Sequence, residues 1–170
     1  MLHALDLALL RLLRTRAHAA PIERGVLLFT RTGEHGVLWL AASAAGATLD
    51  SGRRAVYLRA MRVVVLAYLT NIALKHVVRR RRPALADLPA LSSTVTSLAY
   101  PSAHATTSFA AARVLSRALP AGPLYACAGA MALSRPYVGV HYPSDVAAGA
   151  LLGTAIGAVL APPPPRGWWQ

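Results

Sequence analysis

Apolar residues recur at helical spacing through most of the chain, and polar residues gather in short breaks between the runs. Residues 2–13 are apolar on one face and interrupted by Asp6 and Arg11. That stretch is too short to cross a bilayer and predicts an amphipathic helix lying at an interface. Arg11, Arg14 and Arg16 give it a basic strip. Residues 22–30 form a second short apolar piece. Gly33-Glu34-His35-Gly36 then opens a longer run, 37–49, rich in the small residues that let membrane helices approach closely. Glu34 and His35 fit either a polar helix start or the mouth of a site. After a polar turn at 50–54, residues 55–78 read as a helix with Arg59 and Arg62 near its start and Lys75 at its far end. Arg79, Arg80, Arg81 and Arg82 close it. Pro83 stops it, because the residue before a proline is pushed out of the helical region.

Residues 84–100 are polar and irregular, and predict a loop with room for one short helix. Pro101 stands ahead of a new helix, with Ser102 as its N-cap and His104 in its first turn, running to about residue 119. The free N–H groups of such a helix start attract anions. Runs at 122–133 and 146–161 complete the pattern. The four prolines at 162–165 cannot continue the last helix, and Arg166, Trp168 and Trp169 predict an interfacial anchor. The expected fold is all-α, an integral membrane helical bundle of about five to six helices in one domain, 1–170. The last run would cover about 24 Å as a helix, less than the roughly 30 Å of hydrocarbon it would cross. Either flanking residues snorkel, or the helices extend into the polar residues beside them.

Composition supports the membrane reading. Of 170 residues, 55% are hydrophobic and 14% charged, an imbalance unlike that of ordinary soluble domains. Lys and Arg number 18 against 6 Asp and Glu, for a net charge of +12. In a soluble protein that excess would suggest nucleic acid. Here the arginines flank apolar runs, so anionic lipid headgroups are the expected partners and nucleic acid is not. The single cysteine, Cys127, cannot form an internal disulfide, lies in an apolar run and predicts a small core residue. No Cys/His cluster has zinc spacing. The first thirteen residues do not read as a cleavable signal peptide.

The chemistry gathers in Ser134-Arg135-Pro136-Tyr137-Val138-Gly139-Val140-His141-Tyr142-Pro143-Ser144-Asp145. His141 and Asp145 are four apart and share a face on a helical turn. A carboxylate that accepts from one imidazole nitrogen leaves the other free to attack or to carry a proton. Arg135 adds a forked cation suited to phosphate oxygens. Taken alone, the stretch fits phosphoryl chemistry or a capping Asp, a surface Arg and an incidental His equally well. Two further blocks decide between them: Lys75 followed after six residues by Arg82-Pro83, and Pro101-Ser102-Ala103-His104.

In order and internal spacing the three blocks resemble the signature motifs of the type 2 phosphatidic acid phosphatase superfamily, membrane lipid phosphatases related to vanadium haloperoxidases. The resemblance runs from about residue 75 to 145 and is closest to small actinobacterial members. It implies that His141 is the nucleophile and forms a phosphohistidine, that Asp145 orients it, and that His104 protonates the leaving alkoxide and then activates water. Lys75, Arg82, Ser102, Ala103 and Arg135 would bind the substrate phosphate, with no metal and no cofactor. Members often carry glycine where this chain has Ala103, and alanine fits if that position opens a helix. Arg79, Arg80 and Arg81 are extra cations, read as a basic surface patch or as contacts to a second anionic group.

The implied substrate is a polyprenyl-linked phosphomonoester, such as a lipid-linked phosphoribose of cell-wall arabinan synthesis. Undecaprenyl diphosphate, phosphatidylglycerophosphate and phosphatidic acid are the alternatives. A vanadate-dependent haloperoxidase shares the anion pocket but is soluble and much larger. A non-enzymatic basic membrane protein explains the charge but not the motif spacing. The expected location is the plasma membrane, multi-pass, with Arg53, Arg54, Arg59, Arg62, Arg113, Arg117 and Arg166 opposite the site. Basic residues on both ends leave the positive-inside rule undecided, and the outward-facing site follows from the resemblance alone.

Overall fold

Ala103–Leu115, the fifth of seven α-helices among the described residues 2–161, is built mostly of Ala, Ser and Thr. Its hydroxyls fold back on its own carbonyls, Thr106 Oγ1 to Ser102 O at 2.9 Å and Thr107 Oγ1 to Ala103 O at 3.0 Å, so they can be buried without other partners. A narrow helix with satisfied hydroxyls can take neighbours on every side, and this one, α5, is buried along almost its whole length. The computed structural model packs α4 (Arg54–Val78), α6 (Ala121–Tyr137) and α7 (Pro143–Leu160) around it. Helix α3 (Val37–Leu49) lies against α4, and Trp39 reaches through to donate from Nε1 to Ser108 Oγ at 2.7 Å. Cys127, half-buried, packs at the edge of the same core.

Gly149, Gly153 and Gly157, spaced by four, put one stripe of α7 directly on α5. A Cβ on Gly149 would stand 2.6 Å from Ser102 O, and one on Gly153 would run into the Thr106 carbonyl. Backbone cannot yield as a flexible side chain does. Gly153→Ala is therefore expected to force α5 and α7 apart and cost about 1–3 kcal/mol. Gly25→Ala, in open space on a helix, should leave stability unchanged or slightly raised. Thermal unfolding of both variants in detergent checks the pair.

Helices α4 and α7 are long and apolar enough to cross a membrane. With 25 residues α4 extends for about 38 Å. Leu66, Leu69 and Val77 on α4, and Leu151 and Val159 on α7, point away from the protein. Long helices apolar on the outside as well as the inside belong in lipid. The extension into neighbouring polar residues is seen in α6 and α7: α6 continues to Tyr137 and α7 starts at Pro143, so both take in motif residues.

Among the described residues seven α-helices form where a bundle of about five to six helices was expected. The short apolar piece at 22–30 is a helix of its own, α2 (Ala20–Thr32), begun by Pro21 in its first turn and ended at Gly33. Helix α1 (Leu2–Thr15) is amphipathic in an unusual sense. Leu2, Leu5, Leu9 and Leu12 face outward, while Asp6 and Arg14 are buried against the protein. The interfacial reading suits those leucines, but Arg14 is no part of a surface strip. Its guanidinium donates to Tyr137 O at 3.2 Å and Pro89 O at 2.8 Å, taking up a carbonyl at the end of α6. No helix forms between 79 and 102; the loop is instead pinned by Ala99 N to Arg80 O at 2.8 Å and Leu91 N to Val138 O at 2.9 Å. The prolines at 162–165 and the expected anchor of Arg166, Trp168 and Trp169 lie outside the described residues.

Candidate active site

The up-and-down course of the bundle brings the ends of α2, α4 and α6 and the starts of α5 and α7 to one end. There a pocket of about 540 Å³ is floored by Lys75, Arg82, Ala103, His104, Arg135 and His141. Its rim is Glu34, His35, Tyr68 and residues 93–96 of the long loop. Ser102 and Asp145 lie behind the floor rather than on it.

His141 sits just before α7, 2% exposed. Its Nδ1 faces Asp145 Oδ2 at 3.5 Å, longer than a good hydrogen bond, and finds no other partner among the described residues. Its Nε2 accepts from Arg82 Nη1 at 3.1 Å, so its lone pair points at the guanidinium on the pocket floor. Burial first, then Arg82, Arg135 and Lys75, push this imidazole well below its ordinary pKa, and it is neutral at physiological pH. Asp145 is held from two sides: Oδ2 accepts from Tyr142 N at 2.9 Å, and Oδ1 from Arg80 Nη1 at 2.7 Å.

Arg80 departs from both sequence readings. It is neither a surface patch nor a substrate contact, because two buried carboxylates claim it. Its Nη2 meets Asp6 Oδ2 at 2.7 Å and its Nη1 meets Asp145 at 2.7 Å, while its guanidinium stacks on the Tyr142 ring at 4.1 Å. Asp6 also accepts from Ser144, from its N at 2.9 Å and its Oγ at 2.6 Å. Burial opposes the charge on Asp6, but these contacts outweigh it and hold the carboxyl below its usual pKa. Arg79 ends α4 with a φ of 55°, and Arg81 bridges to Leu98.

Thr30, at the end of α2, organises the other wall. Its carbonyl accepts from His104 Nε2 at 3.0 Å; a carbonyl cannot donate, so Nε2 carries a proton and Nδ1 is the nitrogen free to take up or release another. Its hydroxyl accepts from Ser134 Oγ at 2.8 Å and Arg135 Nη1 at 2.7 Å. Arg135 Nε and the Ser102 hydroxyl are buried without partners, two unspent donors beside the pocket. Ser102 precedes α5 as expected, but its side chain caps nothing. Ala103 opens α5 and is not among the residues with positive φ, so alanine is unstrained there.

Lys75 points inward and donates to Leu98 O, Ala99 O and Pro101 O at 3.3, 3.0 and 2.8 Å. Its three protons are thus spent on the segment that leads into α5. Asn71, one turn earlier, donates to Pro101 O at 3.2 Å and to Thr106 Oγ1 at 3.0 Å. Arg82, pulled down to about 10 by burial with Asp145 opposing, also donates to Val140 O at 2.8 Å. Sequence reasoning missed Asp6, Thr30 and Asn71. The only available signal was a polar residue within an apolar run, and that marks a position without naming its partner.

The floor gathers cations and two imidazoles, one backed by a carboxylate, groups that suit a phosphate. A helical bundle with apolar flanks brings that chemistry to a membrane, and the class it defines is a membrane phosphatase. The PAP2 superfamily profile matches residues 56–166, well over half of the chain, and the chain belongs to that superfamily. Decaprenylphosphoryl-5-phosphoribose phosphatase of Mycobacterium tuberculosis is 40% identical over 131 residues, 75% of this chain and 72% of the relative. The protein of that name in Mycolicibacterium smegmatis is 39% identical over 127 residues, 74% and 69% of the two chains. The crystal structure of Aquifex aeolicus LpxE superimposes with a TM-score of 0.78 at 25% identity, covering 92% of this chain and 94% of that one. A Bacillus subtilis PAP2-type phosphatidylglycerolphosphate phosphatase gives 0.74 at 22% identity, covering 94% and 84%, and shares the fold.

Proposed function

We propose that this phosphatase removes the phosphomonoester from a polyprenyl-linked lipid, with decaprenylphosphoryl-5-phosphoribose as the favoured substrate. The observation that carries the reading is the shared pocket of His104, His141, Arg82 and Arg135 at the end of an apolar bundle. The names of the relatives at about 40% identity support the particular substrate.

His141 Nε2 attacks phosphorus while the bond to the leaving oxygen breaks, and a phosphohistidine forms. Asp145 balances the positive imidazole that results. Arg82 gives up its contact to Nε2 and turns to the equatorial oxygens, with Arg135 and the Ser102 hydroxyl beside it. Their positive field opposes the charge that builds in the transition state. His104, protonated on Nδ1, gives that proton to the leaving alkoxide. The same nitrogen then takes a proton from water as its oxygen attacks the phosphohistidine, releasing phosphate and free His141. Lys75 contributes its charge and holds the segment before α5.

Five membrane-spanning helices, α3 to α7, with α1 and α2 at the interface and the site facing outward, complete the proposal. Purified protein in detergent should release phosphate from the phosphoribosyl lipid without added Mg²⁺. EDTA should be harmless, and orthovanadate, which mimics the five-coordinate phosphorus, should inhibit. Hydrolysis that stops with EDTA and returns with Mg²⁺ would overturn the mechanism.

A further inference from the structure

The rim of the pocket carries a feature that phosphate binding does not use. Glu34 lines the same cavity as the cationic floor, yet none of the ion pairs among the described residues includes it. It stands in a turn of unusual backbone. His35 has φ 52° and Gly36 φ 76°, two consecutive left-handed residues, the first of them not glycine. Gly33 fixes that turn against the catalytic wall: a Cβ there would run into Met131 Sδ and stand 2.8 Å from His104 Cδ2. His35 Nδ1 is tied to Tyr68 OH at 2.6 Å, which joins the turn to α4. A strained turn locked from both sides positions what it carries, and such strain gathers at functional sites.

The carboxylate so presented can only accept hydrogen bonds, and its two oxygens suit two adjacent hydroxyls. Carboxylates bind ribose hydroxyls in this way in dinucleotide-binding folds. A second phosphate in the same place would be repelled. We infer that Glu34, held by the His35–Tyr68 pair, is a headgroup subsite that accepts from a vicinal diol one sugar ring away from the scissile phosphate. It selects a neutral, hydroxylated headgroup over a diphosphate. The inference rests on the function proposed above, which names a phosphate-bearing sugar, and adds the residue that reads the sugar.

The test uses full-length protein in detergent and three farnesyl probes: farnesylphosphoryl-5-phosphoribose, its 2,3-dideoxyribose counterpart and farnesyl diphosphate. Wild type should prefer the diol by roughly 10- to 100-fold in kcat/KM, the scale of a hydrogen bond to a charged group. Glu34→Gln should lose most of that preference through the diol substrate alone, and hydrolyse the diphosphate better than wild type. Tyr68→Phe, which loosens the turn without removing the carboxylate, should shift the ratio the same way by less. Unfolding temperatures identify any variant that has lost its fold. An unchanged diol-to-dideoxy ratio in Glu34→Gln, with wild type active on the ribose probe, overturns the subsite and leaves the proposed function standing. Wild type that hydrolyses dioctanoyl phosphatidic acid but neither ribose probe overturns both.

Discussion

His141→Ala should abolish phosphate release, lowering kcat by on the order of 10⁴-fold or more, the result expected when the proposed covalent nucleophile is removed. The prediction follows from placement. The His141 imidazole is neutral, fully enclosed, backed by Asp145 and directed by Nε2 at Arg82. His104→Ala should behave differently, because its role begins with the leaving group. With a lipid substrate it should cost about 10²- to 10⁴-fold, the usual contribution of a general acid or base. With p-nitrophenyl phosphate, whose phenolate needs no proton to leave, His104→Ala should still take up phosphate and then stall. Acid-labile ³²P should accumulate on His104→Ala and be missing from His141→Ala. Full turnover by His141→Ala would remove the mechanism.

The second large effect lies behind the pocket. Arg80→Met should destabilise the protein by about 3–5 kcal/mol, the cost of stranding buried charges. Two carboxylates lose their cation at once, Asp6 and Asp145, with side chains 3% and 0% exposed. Activity should fall with stability, since Asp145 loses the contact that fixes Oδ1. Arg80→Met combined with Asp6→Asn should be less unstable than Arg80→Met alone, because one stranded charge has been removed. Thermal unfolding of the two variants in detergent reads the difference. A double variant less stable than the single would mean that Asp6 and Arg80 do not stabilise one another as the geometry requires.

That network marks where sequence reasoning stopped. His141 and Asp145 are four positions apart, and Ser102, Ala103 and His104 stand at the start of one helix, so the grouping of these residues was legible in local spacing, while the roles expected of them came from the resemblance. Asp6 meets Arg80 across 74 positions, and Thr30 meets Arg135 across 105. No periodicity links residues so far apart. Lys75 shows the other limit. Its position was legible, but that its three protons go to carbonyls of the segment leading into α5 depends on the path of that loop. The spacing of Gly149, Gly153 and Gly157 is written in the chain, yet a small-residue stripe does not name the helix it will meet.

The sequence by itself determined a helical chain with more apolar surface than water tolerates, and the residue types that the proposed phosphate site uses. These are local properties, fixed by spacing along one helix or loop and by composition. Only the tertiary structure decided that α1 turns Asp6 and Arg14 inward beside Leu10, that the α2 residue Thr30 reaches the pocket wall, and that Arg80 is structural rather than exposed. It also set the strained turn of Glu34 against the wall that holds His104. The reason is physical: a buried charge must find its counterion, and a buried carbonyl its donor, wherever the packing of distant helices puts them.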